Sequence, residues 1–529
     1  MSQRVVVIGG GLAGITAAIA LAESGAKVTL LEARPRLGGA TCSFTRDGLV
    51  VDTGQHVFLG CCSAYRGLLG KLGTTASAPL QSRFDVTVLA PGPAGQPRQA
   101  RLRRTALPGP LHMLPALGRY PFLSRAERAA VSRPALAMRR LDPADPAVDA
   151  QRFGDWLAAK GQSERARRAL WDLFTVSALN IAGDDASLAL AATVVKTGLL
   201  GKNNAADIGV PALPLGELHG DAAATLLARL GAQVALSTKV SAIEEIGPDQ
   251  GGVDQASGGP AGRAGNGRGG RFRVRLARPK DPAEDAGPGT EIVADAVVLA
   301  VPHEKAAPLV PPEALPAGTV AGWAGLGASP IVNVHVIYDR RVTSLPFAAA
   351  IDSPVQWVFD RTRISGLGRD APSAAGSGPQ YLAISLSAAD SYADVPAAKL
   401  RDQFVPALAE LFPAARGAQV TEFFVTRERR ATFRQEPGRG ALRPPAGTRR
   451  PGLVLAGAWT QTGWPDTMEG AVRSGLAAVI ELRRTVLAPG PGHTRGRISA
   501  STSEPTWAAA APGACSEPNA SASTMGVSQ

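Results

Sequence analysis

Gly9, Gly11 and Gly14 stand in a GxGxxG spacing between a β-branched apolar run at residues 5–8 and a stretch of small apolar residues at 12–24. In that setting each glycine has a distinct physical role. Gly9 permits a tight turn, Gly11 lets the backbone approach a pyrophosphate, and Gly14 lets a helix pack closely on the strand. Leu12 and Ala13 sit at the start of that helix, where unpaired amides and partial positive charge favour a diphosphate. Glu32 closes the next apolar run, Lys27–Leu31, where a carboxylate accepts hydrogen bonds from ribose hydroxyls and repels a 2′-phosphate. Dinucleotide binding follows, with NADP disfavoured.

The continuation, Glu32-Ala33-Arg34-Pro35-Arg36-Leu37-Gly38-Gly39, adds a second glycine pair behind an arginine. It offers another close backbone approach and a guanidinium for the pyrophosphate. An NAD site, whose second nucleotide lies across the sheet, leaves this pair unexplained, so the reading is FAD. A second anchor is Gly457, followed by a loop and a helix whose first turn carries Met468, Glu469, Gly470 and Ala471. A helix N-terminus there would stabilise negative charge on a reduced isoalloxazine. A single GxGxxG provides for no NADPH domain, so the flavin is expected to be reduced by substrate or by an external electron donor.

The elements that must hold these residues form an interrupted domain. Residues 5–8, 12–24 and 27–31 read as a βαβ unit. Helical character returns at 220–231, strands at 234–246 and 294–301 (stopped by Pro302) and at 453–456, and a helix at 467–484. At 529 residues the chain is too long for one core. The expected class is α/β: a Rossmann-like FAD-binding domain (1–85, 205–310 and 440–486) interleaved with an α+β substrate domain (86–204 and 311–439). Residues 247–270 and 487–529, rich in Gly, Ala, Ser and Pro, are expected to be a disordered loop and a disordered tail.

The net charge of +12 and the arginine excess admit an anionic membrane surface, but no basic run interleaved with aromatics points to nucleic acid. Four scattered cysteines fit a reducing compartment, and six scattered histidines give no metal-ligand spacing. A strand from Arg4 leaves no room for a signal peptide, and no apolar run is long enough to span a bilayer. The expected location is cytoplasmic, with peripheral attachment at the inner face of the membrane.

The Arg-x-Gly-Gly ending at Gly39 resembles the signature of the flavin monoamine-oxidase superfamily. Three stretches narrow the resemblance: Val51-Asp52-Thr53-Gly54-Gln55-His56-Val57-Phe58-Leu59-Gly60-Cys61-Cys62, the run at 198–219, and Gly463-Trp464-Pro465-Asp466-Thr467-Met468-Glu469-Gly470-Ala471. Together they are similar to the squalene-associated, FAD-dependent hydroxysqualene dehydroxylases of the phytoene-desaturase branch, over about residues 4–485. The 247–270 insertion and the tail match no pattern of that family. The resemblance implies an amine-oxidase-type two-domain fold, with Gly54, Gln55 and His56 against the flavin and the backbone of Val240 on the adenine. It implies a hydrophobic isoprenoid substrate, hydroxysqualene, reduced to squalene by hydride from flavin N5.

An acid must then assist departure of the hydroxyl. His56 is the first candidate and Asp466 the second, although a lone histidine is commonly a structural hydrogen-bonder and an Asp before a helix is commonly a cap. His303 is expected at the surface, and Cys61 and Cys62 as small packing residues. The apolar run 188–200 and the strand 331–337 are expected to line a tunnel. The rival readings are a phytoene-type desaturase, a flavin amine oxidase (disfavoured by scarce tyrosine) and a non-redox prenyl-lipid carrier of the same fold.

Overall fold

The computed structural model describes residues 2–246, 271–277, 291–368 and 378–486. The loop 247–270 and the tail 487–529 lie outside the described residues. The β-branched run becomes the strand Arg4–Ile8, at the centre of a five-stranded parallel sheet. Its spatial order is Leu453–Leu455, Ala296–Leu299, Arg4–Ile8, Lys27–Leu31, Gln233–Ala235. The central strands are covered on both faces, which is why they read as continuous apolar runs rather than alternating ones. From Arg4–Ile8 the chain first adds strands on one side and later returns to the other. The crevice outside Ile8 is therefore a topological switch point, where open parallel sheets bind ligands.

The helix Leu12–Glu23 is buried from Leu12 to Leu21. It lies between this sheet and the closing helix Met468–Thr485. The two helices touch at Gly475, where a Cβ would stand 2.4 Å from the Ala13 carbonyl oxygen. The last helix is thereby fixed against the first glycine turn.

The strand expected over 294–301 is Ala296–Leu299, and a separate strand precedes it. Glu291–Ala294 ends a three-stranded antiparallel sheet with Arg271–Leu276 and Val240–Ile246, and Ala296–Leu299 then enters the parallel sheet. Between them Asp295 accepts a hydrogen bond from Arg4 N at 2.8 Å, which turns the chain from one sheet to the other. Ala314, Leu315, Trp323 and Leu326, expected in the second domain, pack instead with Val6, Ile8, Leu299 and Leu455. That segment extends the core of the parallel sheet.

The second sheet has seven strands, in the order Val420–Thr432, Ser329–Tyr338, Gln380–Leu386, Trp357–Asp360, Phe347–Ala350, Asp85–Ala90, Arg98–Arg103. Strand alternation gives its longest buried strand two roles. Val332, Val334 and Val336 pack toward the helix Ala397–Leu411. Asn333, His335 and Ile337 face the other way, where Ile337 packs with Val51 and Asn333 reaches Thr53.

Candidate active site

The first turn is shaped by contacts that only glycine permits. Gly9 donates to Leu31 O at 2.8 Å and holds φ 109°, and a Cβ on Gly14 would lie 1.8 Å from the Gly9 carbonyl oxygen. The second glycine pair folds back on the first. Gly38 N donates to Gly10 O at 2.8 Å, Gly11 and Gly38 form a parallel bridge, and a Cβ on Gly39 would stand 2.8 Å from Gly11 Cα. Leu12 and Ala13 follow as the first buried residues of the helix. At Gly11 the surroundings are open: a Cβ would meet nothing nearer than Gly39 Cα at 3.9 Å.

Glu32 is buried at the strand end, where its carboxylate accepts from Gly10 N at 2.6 Å and from Arg34 N at 2.8 Å. Ala33 and Arg34 are exposed, and Arg34 Nη1 reaches back to Gly39 O at 3.4 Å. Arg36 donates to Cys42 Sγ at 2.9 Å, while its buried Nε has no partner. Ser237 N and Thr238 N donate to Arg34 O and Glu32 O, which brings the buried Val240 alongside the same turn. A glycine cradle, a carboxylate at the strand end and a buried, unsatisfied guanidinium nitrogen together fit the diphosphate and ribose of FAD.

The 457–471 segment closes the crevice from the other side. Gly457 holds φ 137° and donates to Ser474 Oγ at 2.8 Å; the next turn is fixed by the buried Trp459, whose Nε1 donates to Val301 O at 3.0 Å. Thr467, not Asp466, is the N-cap of the closing helix, accepting from Gly470 N at 3.3 Å and Ala471 N at 2.9 Å. The first two amides, of Met468 and Glu469, have no acceptor within the helix.

Two side-chain roles differ from expectation. The Glu469 carboxylate accepts from Ala64 N at 3.1 Å and Tyr65 N at 2.7 Å and pairs with Arg473, so it caps the helix Ser63–Leu72. Its side chain is not available to a cofactor; only its backbone is. Asp466 accepts from Phe433 N at 2.9 Å, and its own amide donates to Gln435 at 3.1 Å. It ties the 433–435 segment to the closing loop, with burial pushing its carboxyl up to about 6. His303 is buried beside Trp459 rather than exposed.

The 51–62 segment runs between the two sheets. Gly54 is packed on the His56 ring, where a Cβ would meet Nε2 at 2.9 Å, and Gln55 Oε1 is buried without a partner. Burial holds the half-buried His56 imidazole below its ordinary value, Asp52 opposing and Arg361 adding to the shift. Asp52 accepts from Ser43 Oγ at 2.6 Å and Leu215 N at 2.9 Å and forms a buried ion pair with Arg361. Cys61 and Cys62 are free thiols, half-buried at the start of the helix Ser63–Leu72.

Several residues of this region escaped the sequence reading. Arg361 follows the strand Trp357–Asp360 and meets Asp52 across 309 positions. His335 is fully buried, hydrogen-bonded to Tyr381 Oη at 2.7 Å and Thr426 Oγ1 at 3.0 Å, and stacked on Phe424; burial pushes it down to about 3. His219, in the wide turn Gly216–Asp221, bonds Tyr65 Oη at 2.8 Å and is pushed down to about 4 by burial, with the neighbouring His56 imidazole adding to the shift. The one available signal was strand alternation, which puts Asn333 and His335 on one face.

A largely apolar cavity of about 490 Å³ opens in the second domain, lined by residues that include Leu102, Met113, Trp171, Phe174, Val195 and Leu199. The end of the 188–200 run thus lines it as expected, whereas Ile331 to Ile337 do not. One turn, Val195–Leu199, joins this cavity to the 51–62 segment, because Gly198 lies against Leu59, and Val57 and Leu59 pack on the same apolar cluster as Val195.

A model of flavin containing amine oxidoreductases matches residues 12–482. The chain is 29% identical over 488 residues to a hydroxysqualene dehydroxylase of Rhodopseudomonas palustris, covering 90% of this chain and 98% of that protein. It is 26% identical over 510 residues to a zeta-carotene desaturase of Zea mays, covering 89% and 82%. In fold it is similar to putrescine oxidase with putrescine bound (TM-score 0.61, 18% identity, 92% of this chain and 99% of that one). It is likewise similar to cyclohexylamine oxidase from Brevibacterium oxydans (TM-score 0.59, 19% identity, 92% and 99%).

Proposed function

Because the chain belongs to the flavin containing amine oxidoreductase family and is an FAD-dependent oxidoreductase, we propose that it reductively removes the hydroxyl of hydroxysqualene to give squalene. The observation that carries this reading is the apolar cavity joined through Val195–Leu199 to the His56 segment. A long hydrocarbon needs such a chamber, and the relatives named for this activity match along nearly their whole length.

FAD, when bound, supplies hydride chemistry. The amides around Gly9, Gly11, Gly14, Gly38 and Gly39, with Arg34 and Arg36, would hold its diphosphate, Glu32 its ribose and Val240 its adenine. Gly54, Gln55, Gly457 and the backbone of Met468, Glu469, Gly470 and Ala471 would close on the ring end. The walls around Leu102, Trp171 and Phe174 exclude water and align the alcohol. In the reaction a C–O bond breaks and a C–H bond forms: an external donor supplies two electrons and solvent two protons, one proton arriving with the electron pair as hydride and the other leaving with the hydroxyl as water. His56 is assigned to hydrogen-bond the departing oxygen. Held neutral by burial, it can donate an N–H without carrying charge into the apolar chamber.

The purified holoprotein, incubated with hydroxysqualene and a chemical reductant, is expected to form squalene. No squalene, or desaturation of zeta-carotene instead, would overturn the assignment in favour of the carotene class that the plant relatives suggest. His56→Gln should lower kcat about a hundredfold at unchanged flavin content; an unaltered kcat removes His56 from the chemistry.

A further inference from the structure

Seven large apolar side chains are exposed among the described residues, and four of them, Leu107, Leu111, Leu114 and Leu136, fall within residues 107–136. Three of these, Leu111, Leu114 and Leu136, also line the apolar cavity, so they mark its mouth. They come from two short helical stretches. Leu111 and Leu114 stand one turn apart at the start of the first, and Leu136 lies on the helix Ser132–Met138 of the second. Scattered exposed leucines need no explanation; a cluster at the rim of an apolar chamber does.

The same stretch is strongly basic. Residues 105–141 contain Arg119, Arg125, Arg128, Arg133, Arg139 and Arg140 against the single acid Glu127, a formal charge of six minus one, or +5. Among the described residues no carboxylate lies within ion-pair distance of Arg119, Arg125, Arg133, Arg139 or Arg140, although acids neutralise many arginines elsewhere. Arg133 and Arg140 flank Leu136 by three and four positions, so they share its side of the helical stretch.

We propose that this face docks the protein onto the anionic leaflet of a phospholipid bilayer. The leucines enter the interface and the arginines lie at the headgroups, so the cavity opens toward lipid. Charge selects this occupant over a second copy of the chain, since a symmetric contact through the leucines would set +5 against +5. No described helix is long and apolar enough to cross a membrane, so the attachment is peripheral. The inference rests on the surface alone and needs no particular substrate.

Flotation of the holoprotein with vesicles of phosphatidylcholine, with and without phosphatidylglycerol, tests it in the absence of substrate. Failure here is therefore distinct from failure to make squalene. The protein should float with the anionic vesicles. Leu114→Asp with Leu136→Asp should abolish flotation while leaving the flavin spectrum and melting temperature unchanged. Arg133→Glu with Arg140→Glu should weaken partitioning at least roughly thirtyfold, and the lysine pair should restore it. Equal flotation of parent and both variants, no flotation of the parent, or a dimer in light scattering that Leu136→Asp dissociates would each overturn the proposal.

Discussion

The glycine cradle and the buried polar side chains packed around it and around the second sheet are ordered by different means. In the cradle, backbone meets backbone where Gly38 folds onto Gly10, and at Gly9 and Gly14 a side chain is sterically excluded. Among the polar groups, order comes from side chains that find partners over long sequence separations: Asp52 with Arg361, Glu469 with the Tyr65 amide, and His335 with Thr426. At Gly9 and Gly14 the first region tolerates no added atom. The second is sensitive to a lost partner, because each buried charge or imidazole is satisfied by particular neighbours.

Substitutions can break this contrast from either side. The largest effect is expected at Gly14→Val, which drives a side chain into the Gly9 carbonyl; the protein should lose flavin absorbance altogether and fail to recover it with added FAD. Next is Arg361→Met, which leaves Asp52 buried without its cation and should cost about 3–5 kcal/mol in denaturant unfolding. Arg361→Met with Asp52→Asn should recover part of that loss. If the double variant is as damaged as the single, the pair is not coupled as the geometry indicates.

A smaller effect should appear in the pH dependence of stability. Asp466 is pushed from an ordinary 3.8 up to about 6, so the folded state binds its proton more tightly. Its contribution is therefore full below about pH 4 and is lost as pH rises through about 6. His219, pushed down to about 4, acts in the opposite sense: its contribution is present above 6.5 and lost as pH falls toward 4. The informative quantity is the difference between the parent and Asp466→Asn, which should show the variant gaining relative stability as pH rises through about 6. A pH-independent difference would mean that Asp466 is not desolvated in its tie to Phe433.

The same contrast explains what could be read in advance. Gly9, Gly11, Gly14, Glu32, Gly38 and Gly39 lie within 31 consecutive positions, and steric exclusion leaves a mark in residue type; this cradle and its βαβ unit were legible. The closing helix was legible too, read at 467–484 and found at Met468–Thr485. Glu469 was not, because nothing near it in the chain announces a partner 404 positions away. Arg361, His219 and His335 were missed for the same reason: each is one of several arginines or histidines until the fold selects its neighbours. The short strand Glu291–Ala294 was missed because only Ile292 and Val293 mark it as apolar before Asp295 turns the chain.

The central claim, that the two glycine turns grip the diphosphate of FAD by their backbone, is tested most directly at Gly11. Its φ of −77° suits any residue, and an added Cβ would meet only Gly39 Cα at 3.9 Å, so Gly11→Ala should fold without strain. FAD titration of the apoprotein should show affinity reduced at least tenfold with apoprotein melting unchanged, the methyl group standing where the diphosphate must lie. Unaltered FAD affinity in that variant would contradict the account.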